Sequence, residues 1–311
     1  MKDTNDIKNR IFEKLKILNG IRPISVALIG KLREQFSLEM NYNSNAIEGN
    51  TLTMRETMMV IQEGITIKNK PLKDHLEAKN QSHAINYLYD VVARKKDIDI
   101  TEHLIRQMHT LIIQSIDGTV AGAYRDHDVR ISGSKHIPPG AFDVPNKMKS
   151  LIDWYRKNKN DIDAVTLATE FKHKFVAIHP FGDGNGRVSR LLMNIILMRA
   201  GLPIAVILKN DRSKYYKALQ SADKGKIDGL IFVICQAVER SLDIYLRTLL
   251  PSSKMTQILP IANIATHTKY SAEYLGHLIR KGKIAGVKDG RNWKTSVEAV
   301  RAYVISRQRK R

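Results

Sequence analysis

His179-Pro180-Phe181-Gly182-Asp183-Gly184-Asn185-Gly186-Arg187-Val188-Ser189-Arg190 stands between two stretches of helical periodicity, one ending near Ala177 and one running through Leu191, Leu192, Ile195, Ile196 and Met198. A glycine-rich turn that feeds a helix N-terminus is an anion site: glycine permits positive φ, successive N–H groups converge, and the helix dipole adds positive potential. The turn made by Gly182, Gly184, Asn185 and Gly186 therefore reads as a phosphate cradle. Arg187 and Arg190 fall three apart on the first helical turn, so both reach toward the same side with forked donors for further phosphate oxygens. Asp183 is the only carboxylate in the loop, and one carboxylate beside phosphates is how a hard divalent cation such as magnesium is held. His179 opens the loop, where a neutral imidazole of ordinary pKa ~6.5 takes a proton from an incoming hydroxyl.

Other glycine-rich signatures do not fit these letters. The P-loop needs Gly, four residues, then Gly-Lys-Ser/Thr, and the dinucleotide fingerprint needs G-x-G-x-x-G after a strand. An EF-hand starting at Asp183 would want Asp or Asn at Arg187, Gly at Val188 and Glu at Asn194.

Outward from the loop the chain reads as helix after helix up to about Leu250. Apolar residues at 164, 167, 168, 171 and 175 trace one buried helical face, and Asn86 to Ala93, Glu102 to Ile113 and Lys147 to Tyr155 repeat that rhythm. Tyr124 to Pro145 breaks it with Val129 and Ile131 alternating around Arg130, then Ser132-Gly133-Ser134, Ile137 and Pro138-Pro139-Gly140, which predicts a short β-hairpin. The fold class expected is all-α, a helical bundle with that hairpin and a small separate C-terminal module.

The 311 residues, 43% hydrophobic and 26% charged, exclude disordered and fibrous classes and leave room for about two domains. The single cysteine, Cys235, sits in an apolar run and fits a packed thiol in a reducing compartment. The N-terminus lacks the pattern of a signal peptide, and the most apolar stretch, Leu191 to Leu208, is broken by Asn194, Arg199, Gly201 and Pro203. A cytoplasmic protein with no membrane segment is the expectation.

Half of the net charge of +20 falls in the last 60 residues, where 13 Lys/Arg stand against 3 Asp/Glu. Such density favours polyanions through counterion release. Pro251-Ser252-Ser253 is the expected linker. Beyond it the sequence predicts helices over Pro260 to Ile264 and Ser271 to Lys281, a turn at Thr266 to Lys269, and a ribbon punctuated by Gly282, Gly286 and Gly290 that ends at Trp293. A last helix is opened by Thr295 with Glu298 three positions later, a capping-box pattern, and Arg307 to Arg311 reads as a disordered basic tail. The order resembles a winged-helix or helix-turn-helix module with Ser271, Tyr274, His277, Arg280 and Lys281 on the recognition helix, which makes DNA a candidate partner; protein docking or a homodimer suits it equally.

His179-Pro180-Phe181-x-Asp183-Gly184-Asn185-Gly186-Arg187-x-x-Arg190 resembles the complete active-site signature of the Fic family of AMP transferases, with nine specified positions in twelve. The resemblance implies a Fic-type helical bundle in which His179 is general base for a target Ser, Thr or Tyr hydroxyl. Asp183 would hold magnesium, the Gly184 to Gly186 nest would bind the α- and β-phosphates of ATP, and Arg187 and Arg190 would complete phosphate binding. AMP would pass to the target protein, or to the enzyme itself, with release of pyrophosphate.

Ser44-Asn45-Ala46-Ile47-Glu48-Gly49 resembles the family's inhibitory motif, which implies that Glu48 pairs bidentately with Arg190 and fills the γ-phosphate position. Gly122-Ala123-Tyr124-Arg125 with Val129-Arg130-Ile131 and Ile137-Pro138-Pro139 is similar to the flap that registers an extended target segment by strand addition. Asn194 and Gly201-Leu202-Pro203 also resemble the family, and Tyr215-Tyr216 is the candidate wall of the adenine pocket. The resemblance spans roughly residues 30 to 250, and Arg187, where the kinase-like Doc branch carries Lys, argues against phosphotransfer. The implied layout is an N-terminal helical region with the inhibitory motif over 1–90, a catalytic core over 91–250 and a basic domain over 252–311. Two alternatives stay open: a DNA-binding regulator that uses the Fic body as a nucleotide sensor, and an enzyme that removes AMP from modified proteins.

Overall fold

The computed structural model describes residues 4–94, 99–250, 258–289 and 292–308. Its contacts divide the chain into two compact units, 29–237 and the pair of segments 1–28 with 238–311.

The larger unit is built of helices. Its centre is α8 (Asn185–Arg199), on which Leu191, Leu192, Met193, Ile195 and Leu197 are all buried. A helix apolar on every side belongs inside a bundle, and α8 is ringed by α4 (Leu72–Arg94), α5 (Glu102–Ile113) and α7 (Ala164–Ile178), with α6 (Val144–Asn158) outside α7. α5 follows its apolar spacing, burying Leu104, Ile105, Met108, Ile112 and Ile113 behind a Thr101 N-cap. The expected helices are therefore present, but α4 begins at Leu72, well before Asn86. Its first half buries polar groups, Asp74, His75, Glu77, Asn80 and Gln81, which apolar periodicity does not register. α8 ends at left-handed Gly201, and Asn194 exchanges hydrogen bonds with both backbone groups of Ala205, fixing the strand-like return of the chain.

α2 (Val26–Glu48) lies along α4 through buried amides: Asn41 Nδ2 donates to the Ala78 carbonyl at 2.7 Å, and Asn45 Nδ2 to the Glu77 carbonyl at 3.4 Å. α9 (Arg212–Ala222) and α10 (Asp228–Leu249) follow. Cys235 is buried.

The hairpin expected over Tyr124 to Pro145 is not formed as a strand ladder. A turn closes from Ser134 N–H to the Ile131 carbonyl at 3.1 Å with Gly133 at φ +74°, but no strand is present there. The cause is local: the buried Arg125 guanidinium takes the carbonyls of His127, Pro139 and His179, and Pro138-Pro139 has no N–H to give to a partner strand. One side chain bridges the two limbs where a ladder would have done so.

In the smaller unit α1 (Thr4–Ile21) and the second half of α10 are joined by charge: Arg10 donates twice to Glu239, and Lys14 reaches both Glu239 and Asp243. The C-terminal part orders as β1 (Leu259–Pro260), α11 (Ile261–Thr266), α12 (Ala272–Arg280), β2 (Val287–Asp289), β3 (Asn292–Thr295) and α13 (Val297–Gln308). The sheet is antiparallel in the order β1-β3-β2, with Lys294 opposite both Pro260 and Val287. Ile264, Leu275, Leu278, Ile279, Ile284 and Val300 form its core. Gly286 is required there, since a Cβ would come within 2.7 Å of Ile279. The cap of α13 is Ser296, whose Oγ accepts the Ala299 N–H; the expected Thr295 ends β3 and spends its hydroxyl on the Ala285 carbonyl. α13 continues through Arg307 to Gln308, so these two residues of the expected tail are helical. Pro251-Ser252-Ser253, Gly290 and Arg309 to Arg311 lie outside the described residues. Among the described residues no helix is long and apolar enough to cross a membrane.

Candidate active site

The loop between α7 and α8 is built by its own residues. His179 caps α7 in the left-handed conformation at φ +51°, a strained choice for a residue with a Cβ, held because its N–H bonds the Phe175 carbonyl and its carbonyl accepts Arg125 Nε at 2.9 Å. Phe181 is fully buried as an anchor, stacked on the His109 ring at 3.7 Å between centroids. Asn185 clasps it: Oδ1 accepts the Phe181 N–H at 3.0 Å and Nδ2 donates to the Phe181 carbonyl at 2.7 Å. The Asn185 amide is thus spent on shaping the loop, and what Asn185 offers a ligand is its backbone. Gly184 starts α8 at φ +78°, and the first N–H groups of a helix have no intrahelical acceptor, so they are available at the site. Gly182 is exposed with open space about its Cα.

His109, which sequence reasoning did not single out, joins two parts of the site. Its Nδ1 accepts the Gly122 N–H at 2.9 Å, so Nε2 carries the proton and donates to the Asp183 carbonyl at 3.1 Å. Burial, aided by the Arg187 charge, pushes its pKa down to about 4 and keeps it neutral. The signal was its place on the apolar face of α5. Burial also lowers His179 below the usual histidine range, with Arg125 adding to the effect, so its imidazole is neutral near pH 7.

The two arginines point to different partners. Arg187, 2% exposed, sits between carboxylates, with Nη1 3.1 Å from Glu77 Oε1 and Nη2 3.1 Å from Asp183 Oδ1, while its buried Nε has no hydrogen-bond partner among the described residues. Asp183 is 56% exposed; burial alone would raise its pKa, but Arg187, the Gly184 N–H and Lys73 hold it below the carboxylate range. Arg190 is buried, with Nε on Ser44 Oγ at 2.9 Å, Nη2 on the Ser44 carbonyl at 2.8 Å and Nη1 on Glu48 Oε1 at 2.8 Å. Ser44 takes Nε and Nη2 of the fork, which leaves Nη1 to meet Glu48. Burial opposes the Arg190 charge, and Glu48 restores it, leaving its pKa raised. Gly49 follows at φ +110°, ending α2. A Cβ added to Gly186 would strike the Glu48 carboxylate, so that carboxylate lies directly against the helix N-terminus.

Tyr215 is buried, its hydroxyl in contact with Lys172 Nζ. Lys172 is itself wholly buried, and burial together with the neighbouring Arg190 charge lowers its pKa to about 7. Tyr216 is half-buried beside it, 5.6 Å between ring centroids, with its hydroxyl 3.4 Å from the Ile47 carbonyl. Arg130 is exposed, and Val129 and Ile131 are half-buried. Among the described residues no group of three or more His, Cys, Asp or Glu is arranged to hold a metal.

Residues 99–197 match the description Fic/DOC family. A protein adenylyltransferase Fic of Drosophila willistoni is 34% identical over 257 residues, 82% of this chain and 50% of that protein, and the Drosophila melanogaster protein of the same name is 36% identical over 206 residues, 66% and 41%. The chain spans about half the length of the curated relatives it matches. Among solved structures, a Fic domain containing signaling protein from Bacteroides thetaiotaomicron aligns at TM-score 0.70 and 29% identity, covering 79% of this chain and 97% of that one. Fic-1 from C. elegans aligns at 0.71 and 25%, covering 78% and 72%.

Proposed function

The chain belongs to the Fic/DOC family, and we propose that it is an autoinhibited protein adenylyltransferase, moving AMP from ATP to a Ser, Thr or Tyr hydroxyl of a target protein and of itself. The observation that carries this reading is the seat of Glu48, 2.8 Å from Arg190 Nη1 and against Gly186 at the N-terminus of α8. A helix N-terminus flanked by arginines favours phosphate, and a carboxylate seated there takes the place of the terminal phosphate.

With Glu48 withdrawn, Arg190 receives the γ-phosphate and the backbone of Gly182, Gly184, Asn185 and Gly186 cradles the α- and β-phosphates. The Nε of Arg187, buried and without a hydrogen-bond partner among the described residues, supports a further phosphate contact. Tyr216, backed by Tyr215, walls the adenine. Val129, Arg130 and Ile131, with no strand partner of their own, register an extended target segment. The target hydroxyl gives its proton to neutral His179 as its oxygen attacks the α-phosphorus; the new O–P bond forms, the bond to the β-phosphate oxygen breaks, and pyrophosphate leaves with the electron pair. Asp183, exposed and with its pKa held low by Arg187, the Gly184 N–H and Lys73, would hold magnesium together with phosphate oxygens, and the ion would neutralise phosphate charge. Ser44 and Gly49 hold and release the inhibitory residue.

Intact-mass measurement with ATP and magnesium tests this. Glu48→Gly gains AMP, wild type gains far less, and Glu48→Gly/His179→Ala gains none. A Glu48→Gly protein that binds ATP yet gains no AMP contradicts forward transfer and directs the test to AMP removal from a pre-modified target.

A second activity is favoured by one observation. α12 buries Leu275, Gly276, Leu278 and Ile279 and leaves Ser271, Tyr274, His277, Arg280 and Lys281 exposed on one face. That face supports DNA binding by a winged-helix arrangement, and Arg280→Ala/Lys281→Ala should weaken a salt-dependent interaction with duplex DNA.

A further inference from the structure

Two residues past Glu48 the chain is tied down a second time. Asn50, buried, donates from Nδ2 to Glu77 Oε2 at 2.9 Å and to the Asp74 carbonyl at 3.0 Å, while its Oδ1 accepts the Leu52 N–H at 3.0 Å. The next residue, Thr51, gives both its N–H and its hydroxyl to Asp74 Oδ2. The other oxygen of Glu77, Oε1, is the one 3.1 Å from Arg187 Nη1. A single buried carboxylate on α4 thus holds the segment that carries Glu48 on one oxygen and an arginine of the anion loop on the other.

A buried carboxylate serving only to neutralise Arg187 would not need Asn50, and Asn50 could cap its own turn without Glu77. The shared anchor links the two. The Asn50 bond fixes the Glu77 side chain, and Glu77 so fixed keeps Arg187 in the arrangement that accompanies a seated Glu48. An anion that draws Arg187 toward its unpartnered Nε disturbs the same carboxylate from the other side. Coupling of this kind is reciprocal: whatever loosens Asn50 favours the anion, and the anion loosens Asn50.

The geometry points to Glu77 as a positioning residue that couples the seating of the inhibitory segment, through Asn50, to Arg187 in the phosphate loop. This rests on the reading of Glu48 as the group that blocks nucleotide.

The experiment is calorimetric binding of magnesium ATP to the full chain as wild type, Asn50→Ala, Glu77→Gln, Asn50→Ala/Glu77→Gln, Glu48→Gly and Glu48→Gly/Asn50→Ala. Asn50→Ala removes three hydrogen bonds, and the one to Glu77, counted as the share that the competing closed state loses, should make it bind about fivefold tighter than wild type. The gain should shrink to within about twofold in the Glu77→Gln background and in the Glu48→Gly background, as a coupled pair requires. Asn50→Ser, which keeps an oxygen for the Leu52 N–H but withdraws the donor from Glu77, should repeat the result should Asn50→Ala melt without cooperativity. Unchanged ATP affinity in the Asn50 variants, or a gain that persists in full without the Glu77 carboxylate, overturns the coupling. Glu48→Gly binding no tighter than wild type overturns the blocking role of Glu48 instead.

Discussion

The loop from His179 to Arg190 and the segment from Gly122 to Gly140 lie side by side and are built on opposite plans. The loop is closed by bonds among near neighbours: Asn185 on Phe181, Gly184 in the left-handed region, and His109 beneath it. The segment is gathered at its two ends by Arg125, and its middle, with Arg130 and Ile137 exposed, makes no ladder. A group that must meet a reacting atom has to be fixed before substrate arrives. A surface that reads an extended peptide through its backbone has to leave that backbone uncommitted. The contrast predicts that damage to the loop shows in chemistry and nucleotide binding, and damage to the segment in target capture.

The largest effect should come from His179→Ala in a Glu48→Gly background, which should cut AMP transfer by about 10³-fold or more while leaving ATP affinity within about threefold. Transfer surviving at tenths of the parent rate would remove His179 as the base. Asn185→Ala leaves a buried Phe181 N–H and carbonyl without partners, so it should cost roughly 2–4 kcal/mol in unfolding free energy and weaken ATP binding about tenfold. If denaturant curves and ATP affinity both match the parent, the loop is not self-built.

Arg125→Met strips three carbonyls of their donor and should reduce labelling of protein about tenfold with a smaller change in ATP affinity, because the limbs of the segment separate before the loop does. Equal loss of both would erase the distinction between the two regions. Acid should act weakly: burial and Arg125 disfavour protonated His179, so the activity of Glu48→Gly should remain above half of its plateau at about pH 6.5, with the acidic limb below that of a free imidazole. A midpoint above the free value contradicts a neutral buried base. Smallest of all, Arg130→Ala should leave stability within about 0.5 kcal/mol and ATP affinity unchanged, altering only the efficiency of target labelling.

How much of this the sequence disclosed follows from how far apart the partners are. The loop was legible because its turn residues, arginines and carboxylate are consecutive letters. The contact of Glu48 with Arg190 was legible because the segment that carries Glu48 is compact. The other groups were not. Glu77 meets Arg187 from more than a hundred residues away, with Asn50 on its other oxygen, on a polar but buried face that apolar periodicity cannot show. His109 looked like one more position on an amphipathic helix, and nothing local distinguished its two bonds. The alternation of Val129 and Ile131 suggested a hairpin, yet Arg125, by holding the carbonyls of both limbs, takes the place of the ladder. The cap of α13 moved by one residue for a similar reason: the Thr295 hydroxyl was taken by Ala285, leaving Ser296 to start the helix.

The central claim, that a carboxylate of the chain itself occupies the phosphate end of an AMP-transfer site, is tested most directly by labelling with ATP carrying label at the α- or the γ-phosphate, with magnesium, in wild type, Glu48→Gly and Glu48→Gly/His179→Ala. Strong incorporation of α-label by Glu48→Gly alone, with none from the γ-position, is the expected result. Incorporation of γ-label, or equal α-label in wild type and Glu48→Gly, would contradict it.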